Sequence, residues 1–257
     1  MEALQEILYK RLKKIKQAYR DYENNPYNPA LVHELRVDTR KLRSVIHFLK
    51  HAFGEKEYNR INRELKSFAK TYGRLRELDV LTEVCSTIAL RQPDLSEHYY
   101  DMFKYLREER NREMKRTFNK TNIEAFNGML ESVEQAIDML SIEMDTSIED
   151  YITDRLKTKK TVLIKEYEEL DMTDYNAVHD VRKRAKKLRY SARYLRPLTG
   201  KKHKKTIKRM KKIQNALGNY TDAHVNAELL DELGAKMKNE ELKKLFAYMG
   251  RIENQSK

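Results

Sequence analysis

The sequence predicts an all-α fold, and three observations carry that prediction. The first is an internal repeat. Val32-His33-Glu34-Leu35-Arg36-Val37-Asp38-Thr39-Arg40-Lys41-Leu42-Arg43 begins again 146 residues later as Val178-His179-Asp180-Val181-Arg182-Lys183-Arg184-Ala185-Lys186-Lys187-Leu188-Arg189, without a gap. A repeat of this kind means two copies of one structural unit. The second is that 257 residues hold only seven glycines and four prolines. The third is apolar spacing at helical period throughout, with no convincing strand pattern.

The elements follow in order. Residues 2–24 read as a helix with Leu4, Ile7, Leu8, Leu12, Ile15 and Tyr19 toward a core. Asn25-Pro26-Tyr27-Asn28-Pro29 breaks it, because proline cannot continue the backbone ladder. A second helix then runs from about Pro29 to Phe53, with Asn28 as N-cap. Gly54 ends it, and a third helix runs through Arg60 to Tyr72. Gly73 reads as a C-cap or a tight helix contact. A fourth helix covers 75–91, and Pro93 stops it. A long helix follows from Tyr99 to about Phe118, and another from Ile123 to Leu140.

The second half begins near Ser141. Residues 147–170 match the first helix in position. Thr173 and Asp174 cap the second His-bearing helix, which ends before Pro197. Gly200 marks a turn into a helix carrying Lys201, Lys204, Lys205, Lys208, Arg209, Lys211 and Lys212. Helices over 219–233 and 236–253 complete the chain. No long linker separates the halves, so residues 1–257 read as one domain with repeat halves of about 1–140 and 141–257.

Each copy of the repeated stretch, wound as a helix, has two faces. Leu35, Leu42, Val45, Ile46, Leu49 and Phe53 form an apolar stripe in the first copy. Val181, Ala185, Leu188 and Leu195 do so in the second. His33, Arg36, Arg40, Arg43 and His47 form a basic stripe, matched by His179, Arg182, Lys186, Arg189 and Arg193. Cations stacked on one face repel one another, and few acids lie within the stripe, so an external anion is a natural partner.

The two motifs resemble the CHAD domain, the conserved histidine α-helical domain. Gly73-Arg74-Leu75-Arg76-Glu77-Leu78-Asp79-Val80 is similar to that family's Leu-Gly-x-x-Arg-Asp-x-Asp-Val segment. Gly218-Asn219-Tyr220-Thr221-Asp222-Ala223-His224-Val225 is similar to its counterpart in the second half. The resemblance implies two antiparallel helical bundles related by a pseudo-twofold axis. It also implies inorganic polyphosphate bound in a basic channel between them, and targeting to polyphosphate granules as a further suggestion.

On that footing the residues expected to bind are His33, Arg36, Arg40, Arg43, Arg63, Lys66, His179, Arg182, Lys183, Lys186, Arg189, Arg193, Lys205, Lys208 and Lys212. Arg36, Arg40, Arg43, Arg182, Lys183, Lys186 and Arg189 are expected to carry most of the affinity. Arg offers forked donors to phosphate oxygens and Lys a mobile point charge. His33 and His179 either donate to phosphate or fix helix packing, and both readings stay open.

Composition agrees with a polyanionic partner. Fifty-three Lys and Arg stand against 40 Asp and Glu, a formal net charge of +13. The excess does not by itself say which polyanion. The alternative is a helical RNA- or DNA-binding protein, although no RNP, zinc-finger or helix-turn-helix signature supports it. The single cysteine, Cys85, has no internal disulfide partner and reads as buried core. No secretory apolar region and no membrane-length apolar run is evident, so a cytoplasmic protein without membrane association is expected.

No catalytic apparatus is legible. P-loop, Gly-x-Ser-x-Gly, Cys-x-x-Cys and His-Glu-x-x-His patterns are missing. His47 and His51 have metal-capable spacing but no third ligand nearby, and read as surface or network residues. Glu77, Asp79 and Asp222 read as groups that orient Arg and Lys or cap helices. The expectation is therefore no metal, no cofactor and no enzymatic activity.

Overall fold

The computed structural model describes residues 2–95, 97–140, 147–199 and 203–255. Among these, the helices are α1 (Glu2–Asn24), α2 (Pro29–Phe48), α3 (Glu55–Thr71), α4 (Gly73–Arg91), α5 (Tyr99–Thr117), α6 (Lys120–Asp138), α7 (Ile148–Glu168), α8 (Tyr175–Tyr194), α9 (Lys204–Ala216), α10 (Gly218–Ala235) and α11 (Glu240–Gln255). The described residues contain no strand, so the fold is all-α. Ser141, Gly200 and Lys201, where the sequence places the start of the second half and a turn into the basic helix, lie outside the described residues.

The two His-bearing helices start at side-chain caps. The Asn28 side chain accepts from the Ala30 N–H at 3.0 Å, and Pro29 fills the first helical position. The Asp174 carboxylate accepts from the Asn176 and Ala177 N–H groups at 2.9 and 3.1 Å. Each cap satisfies donors that the helix leaves without a backbone partner.

Several boundaries differ from the periodicity, among them the start of α11, at Glu240 rather than 236. The α2 helix ends at Phe48 rather than Phe53, giving way to a 3₁₀ turn over Lys50–Ala52. Leu49, Ala52 and Phe53 are still buried, so the apolar spacing continues after the α-helical ladder has tightened. Gly73 is not a C-cap. It is the first residue of α4, buried, with Tyr72 alone joining it to α3.

The chain forms two compact units. The first comprises Met1–Thr71 and Lys120–Leu217, and the second Tyr72–Asn119 and Gly218–Lys257. Each unit combines segments from both repeat halves.

In the first unit α2 packs against α1, α3 and α8, while α8 packs against α7, α9 and α2. Leu35, Leu42, Val45 and Ile46 of α2 and Val181, Ala185 and Leu188 of α8 are buried, as their spacing predicts. The Ser191 hydroxyl lies 3.0 Å from the Ser44 carbonyl across the α2–α8 contact and 3.0 Å from the Lys187 carbonyl on its own helix, and shares its one proton between them. A second anchor joins α1, α3 and α6. The Tyr19 and Phe126 rings stack at 3.8 Å between centroids, and Phe68 lies 5.0 Å from Phe126. The packing presents the basic faces of α2 and α8 to a common space.

The second unit is a four-helix cluster whose core includes Leu78, Leu81, Cys85, Leu230, Leu233, Phe246 and Met249. Cys85 is fully buried, and burial pushes its thiol up to about 12. Asp79, also buried, accepts from Arg110 Nε at 2.7 Å. That carboxylate thus orients an arginine, as the sequence reading has it. Arg74 grips Glu232 with two bonds of 2.9 Å each. Among the described residues no helix is long and apolar enough to cross a membrane.

Candidate functional site

The first unit contains a cavity of about 400 Å³ between α2, α3 and α8. Arg36, Arg40, Arg43 and His47 enter it from α2. His179, Arg182, Lys183, Lys186 and Lys187 enter from α8, and Tyr58 and Asn62 from α3. Ser44 completes the wall, and among the described residues no carboxylate lines it. The helical repeat explains the convergence: steps of three or four residues keep each basic stripe on one face, and the α2–α8 packing turns the two stripes together.

The cavity's neutral groups hold the cations in place. Arg36 donates to the Ala69 carbonyl at the end of α3. Arg43 Nε donates to Asn62 Oδ1 at 3.0 Å. Neither partner cancels the guanidinium charge.

Titration behaviour registers the resulting field. Burial lowers the pKa of Lys187, and Arg43 depresses it further. Burial likewise lowers Arg43. His47 falls to about 4, first through burial and then through Lys187, Lys159, Arg43 and Lys50. The imidazole is therefore neutral near pH 7, with Nδ1 2.6 Å from the Tyr58 hydroxyl. Burial is the first cause of all three shifts, and neighbouring cations deepen those of Lys187 and His47.

A model of the CHAD domain matches residues 3–231. The chain belongs to the CHAD domain family. Its fold is similar to two solved structures. One is the CHAD domain from the plant Ricinus communis, at a TM-score of 0.76 and 17% identity, covering 99% of this chain and 86% of that one. The other is PptA from Streptomyces chartreusis, at a TM-score of 0.73 and 14% identity, covering 99% and 97%. No curated protein matches the chain in sequence.

Within this CHAD chain the cavity gathers Arg36, Arg40, Arg43, His179, Arg182, Lys183 and Lys186 from the expected binding set. The remaining members lie outside its lining. His33 is exposed at the start of α2, Arg63 and Lys66 are exposed on α3, and Lys205, Lys208 and Lys212 are exposed on α9. Arg193 is exposed near the end of α8, its guanidinium 5.9 Å from the Tyr194 ring centre. The Arg189 guanidinium lies 4.6 Å from the ring centre of Tyr190.

Lys187, His47, Tyr58, Asn62 and Ser44 belong to the cavity but not to the expected set. Lys187 occupies the repeat position of Lys41, which in the first copy is held by Asp38 at 2.5 Å. Arg184 replaces that aspartate in the second copy, so the sequence does carry a signal that Lys187 is released. Tyr58 and Asn62 stand one helical turn apart on α3, a weaker signal that only the α2–α3 packing makes meaningful. Among the described residues no group of three or more His, Cys, Asp or Glu could hold a metal ion.

Proposed function

We propose that the chain binds inorganic polyphosphate in the α2–α8 cavity and does no chemistry on it. The observation carrying this reading is a lining with seven Arg and Lys side chains and, among the described residues, no carboxylate. Such a lining repels itself and is relieved by a ligand that brings a charge on every repeat unit. Binding would displace counterions from the phosphate chain and gain affinity from their release. The Arg forks suit phosphate oxygens, and the Lys ammonium groups follow the ligand as it shifts.

The resemblance of the repeated motifs to the CHAD family supports the same ligand. On this reading α2 and α8 are pseudo-equivalent walls of one basic channel, each contributed by one repeat half. A cytoplasmic protein attached to polyphosphate granules follows from it. A polynucleotide fits the lining less well. Among the described residues Tyr58 is the one Phe, Tyr or Trp in the lining, so successive bases would find no stacking platform there.

The test is displacement of fluorescent long-chain polyphosphate at physiological salt, with unlabelled polyphosphate and tRNA as competitors at equal phosphate concentration. Preferential displacement by polyphosphate supports the proposal. Equal or better displacement by tRNA would favour the nucleic-acid reading instead.

A further inference from the structure

A second cavity, of about 450 Å³, adjoins the basic one and shares Ser44, His47 and Lys187 with it. It lies between α2, α7 and α8, within the first unit, and its chemistry differs. Phe48, Val162, Leu163 and Leu188 give it an apolar side. Val162 is 45% exposed, so part of this apolar wall faces solvent.

The second cavity has fewer cations than the first, and one of them is paired with acids. Arg184 lies 2.5 Å from Glu166 and 3.7 Å from Asp180. Asp180 itself is part of the lining and would repel a phosphate. Lys159 and the shared Lys187 are the other cations there. Moving from the first cavity to the second, the lining changes from polar and cationic to partly apolar, with a carboxylate among fewer cations. A continued run of phosphates would meet the Asp180 carboxylate and an apolar wall that offers it no donors. An uncharged, flat, largely apolar group attached to the phosphate chain would instead bury its surface and leave the phosphates where the cations are.

We infer that the second cavity receives the nucleoside end of a nucleoside polyphosphate whose phosphates occupy the basic cavity. The occupant's phosphates pass the shared wall at His47 and Lys187, and its base lies against Val162 and Leu163. Thr158 and Asp180 are positioned in the same lining to hydrogen-bond polar edges of a base. A volume of this order is ample for one nucleoside.

The inference rests on the basic cavity being the phosphate site, and the experiment separates the two. ATP and inorganic tripolyphosphate, both without added metal, are compared as competitors of fluorescent long-chain polyphosphate. ATP lacks a charge that tripolyphosphate carries at the same phosphate number, so charge alone makes it the weaker competitor. The second cavity reverses that order and makes ATP stronger by roughly tenfold, as burial of a side-chain-sized apolar group allows.

Val162→Gln, a neutral change at a partly exposed position, should remove most of the ATP advantage and leave tripolyphosphate unaltered. Photolabelling with 8-azido-ATP should mark residues 158–163. If ATP competes no better than tripolyphosphate, or if the photolabel falls elsewhere, the inference is overturned while polyphosphate binding stands. If long-chain polyphosphate itself fails to bind, both readings fall.

Discussion

His47 Nδ1 and the Tyr58 hydroxyl lie 2.6 Å apart at the wall where the two cavities meet. The distance suits a phenol donating to a neutral ring, and the depressed pKa of about 4 keeps that ring neutral over most of the working range. An anion in the cavity favours the protonated ring, so binding should raise the His47 pKa and take up protons where pH approaches it.

The sign follows from this linkage. Polyphosphate binding should strengthen as pH falls from about 6.5 toward 4, with net proton uptake. Stability of the free protein should decline over the same window, because the unfolded chain takes up a proton at His47 that the fold resists. Calorimetry in buffers of different ionisation enthalpy counts the protons. His47→Gln should reduce the uptake and flatten both profiles. Unchanged profiles in that variant would remove His47 from the account.

The contact that brings the two basic helices together makes a separate prediction. Ser191 Oγ shares its proton between the Ser44 carbonyl across the contact and the Lys187 carbonyl on its own helix. Ser191→Ala should cost about 1 kcal/mol in denaturant unfolding. Ser191→Leu should cost more and weaken polyphosphate binding too, by forcing α2 and α8 apart. Leucine accommodated without loss of either would show that the approach of these helices does not set the cavity.

Two glycines should respond in opposite directions. A Cβ on Gly234 would meet Phe246 Cβ at 3.1 Å, where α10 packs on α11. Gly234→Ala should therefore destabilise by about 1–3 kcal/mol. Gly128 lies exposed within α6 with nothing within 4 Å of an added Cβ. Gly128→Ala should stabilise by about 0.5–1 kcal/mol. Thermal and denaturant unfolding of the two variants provide the check.

The absence of a legible catalytic pattern carries its own expectation. Purified protein should release no phosphate from polyphosphate, ATP or tripolyphosphate, with or without magnesium or manganese. Release that tracks the protein and disappears on mutating one acidic residue would overturn the non-catalytic reading.

The helices were legible in the sequence because amphipathic spacing, the Asn28 and Asp174 caps and the prolines all agree. The end of α2 was not, since the buried Leu49, Ala52 and Phe53 keep an apolar rhythm through a 3₁₀ turn. Among the site residues, those on the repeated stripe were readable wherever the helix packing turned them inward. Arg189 and Arg193 keep the stripe's spacing but approach Tyr190 and Tyr194, a choice that side-chain packing makes and periodicity cannot reveal. Tyr58 and Asn62 acquire their place only from the packing of α3 on α2. Lys187 stands out only when the two copies are compared, with Arg184 where Asp38 holds Lys41.

The central claim is that converging cations, rather than net charge, bind the ligand. Its most direct test is long-chain polyphosphate affinity after reversing Arg40 and Lys186 together to glutamate, against a control with Lys115 and Arg116 reversed. The two variants change net charge equally, and only the first alters the cavity lining. Circular dichroism and unfolding confirm that each variant folds. The account predicts a large loss for the cavity variant, with a salt dependence flatter by roughly 0.7 log–log units per phosphate contact removed, and a small loss for the control. Equal losses in the two variants would contradict it.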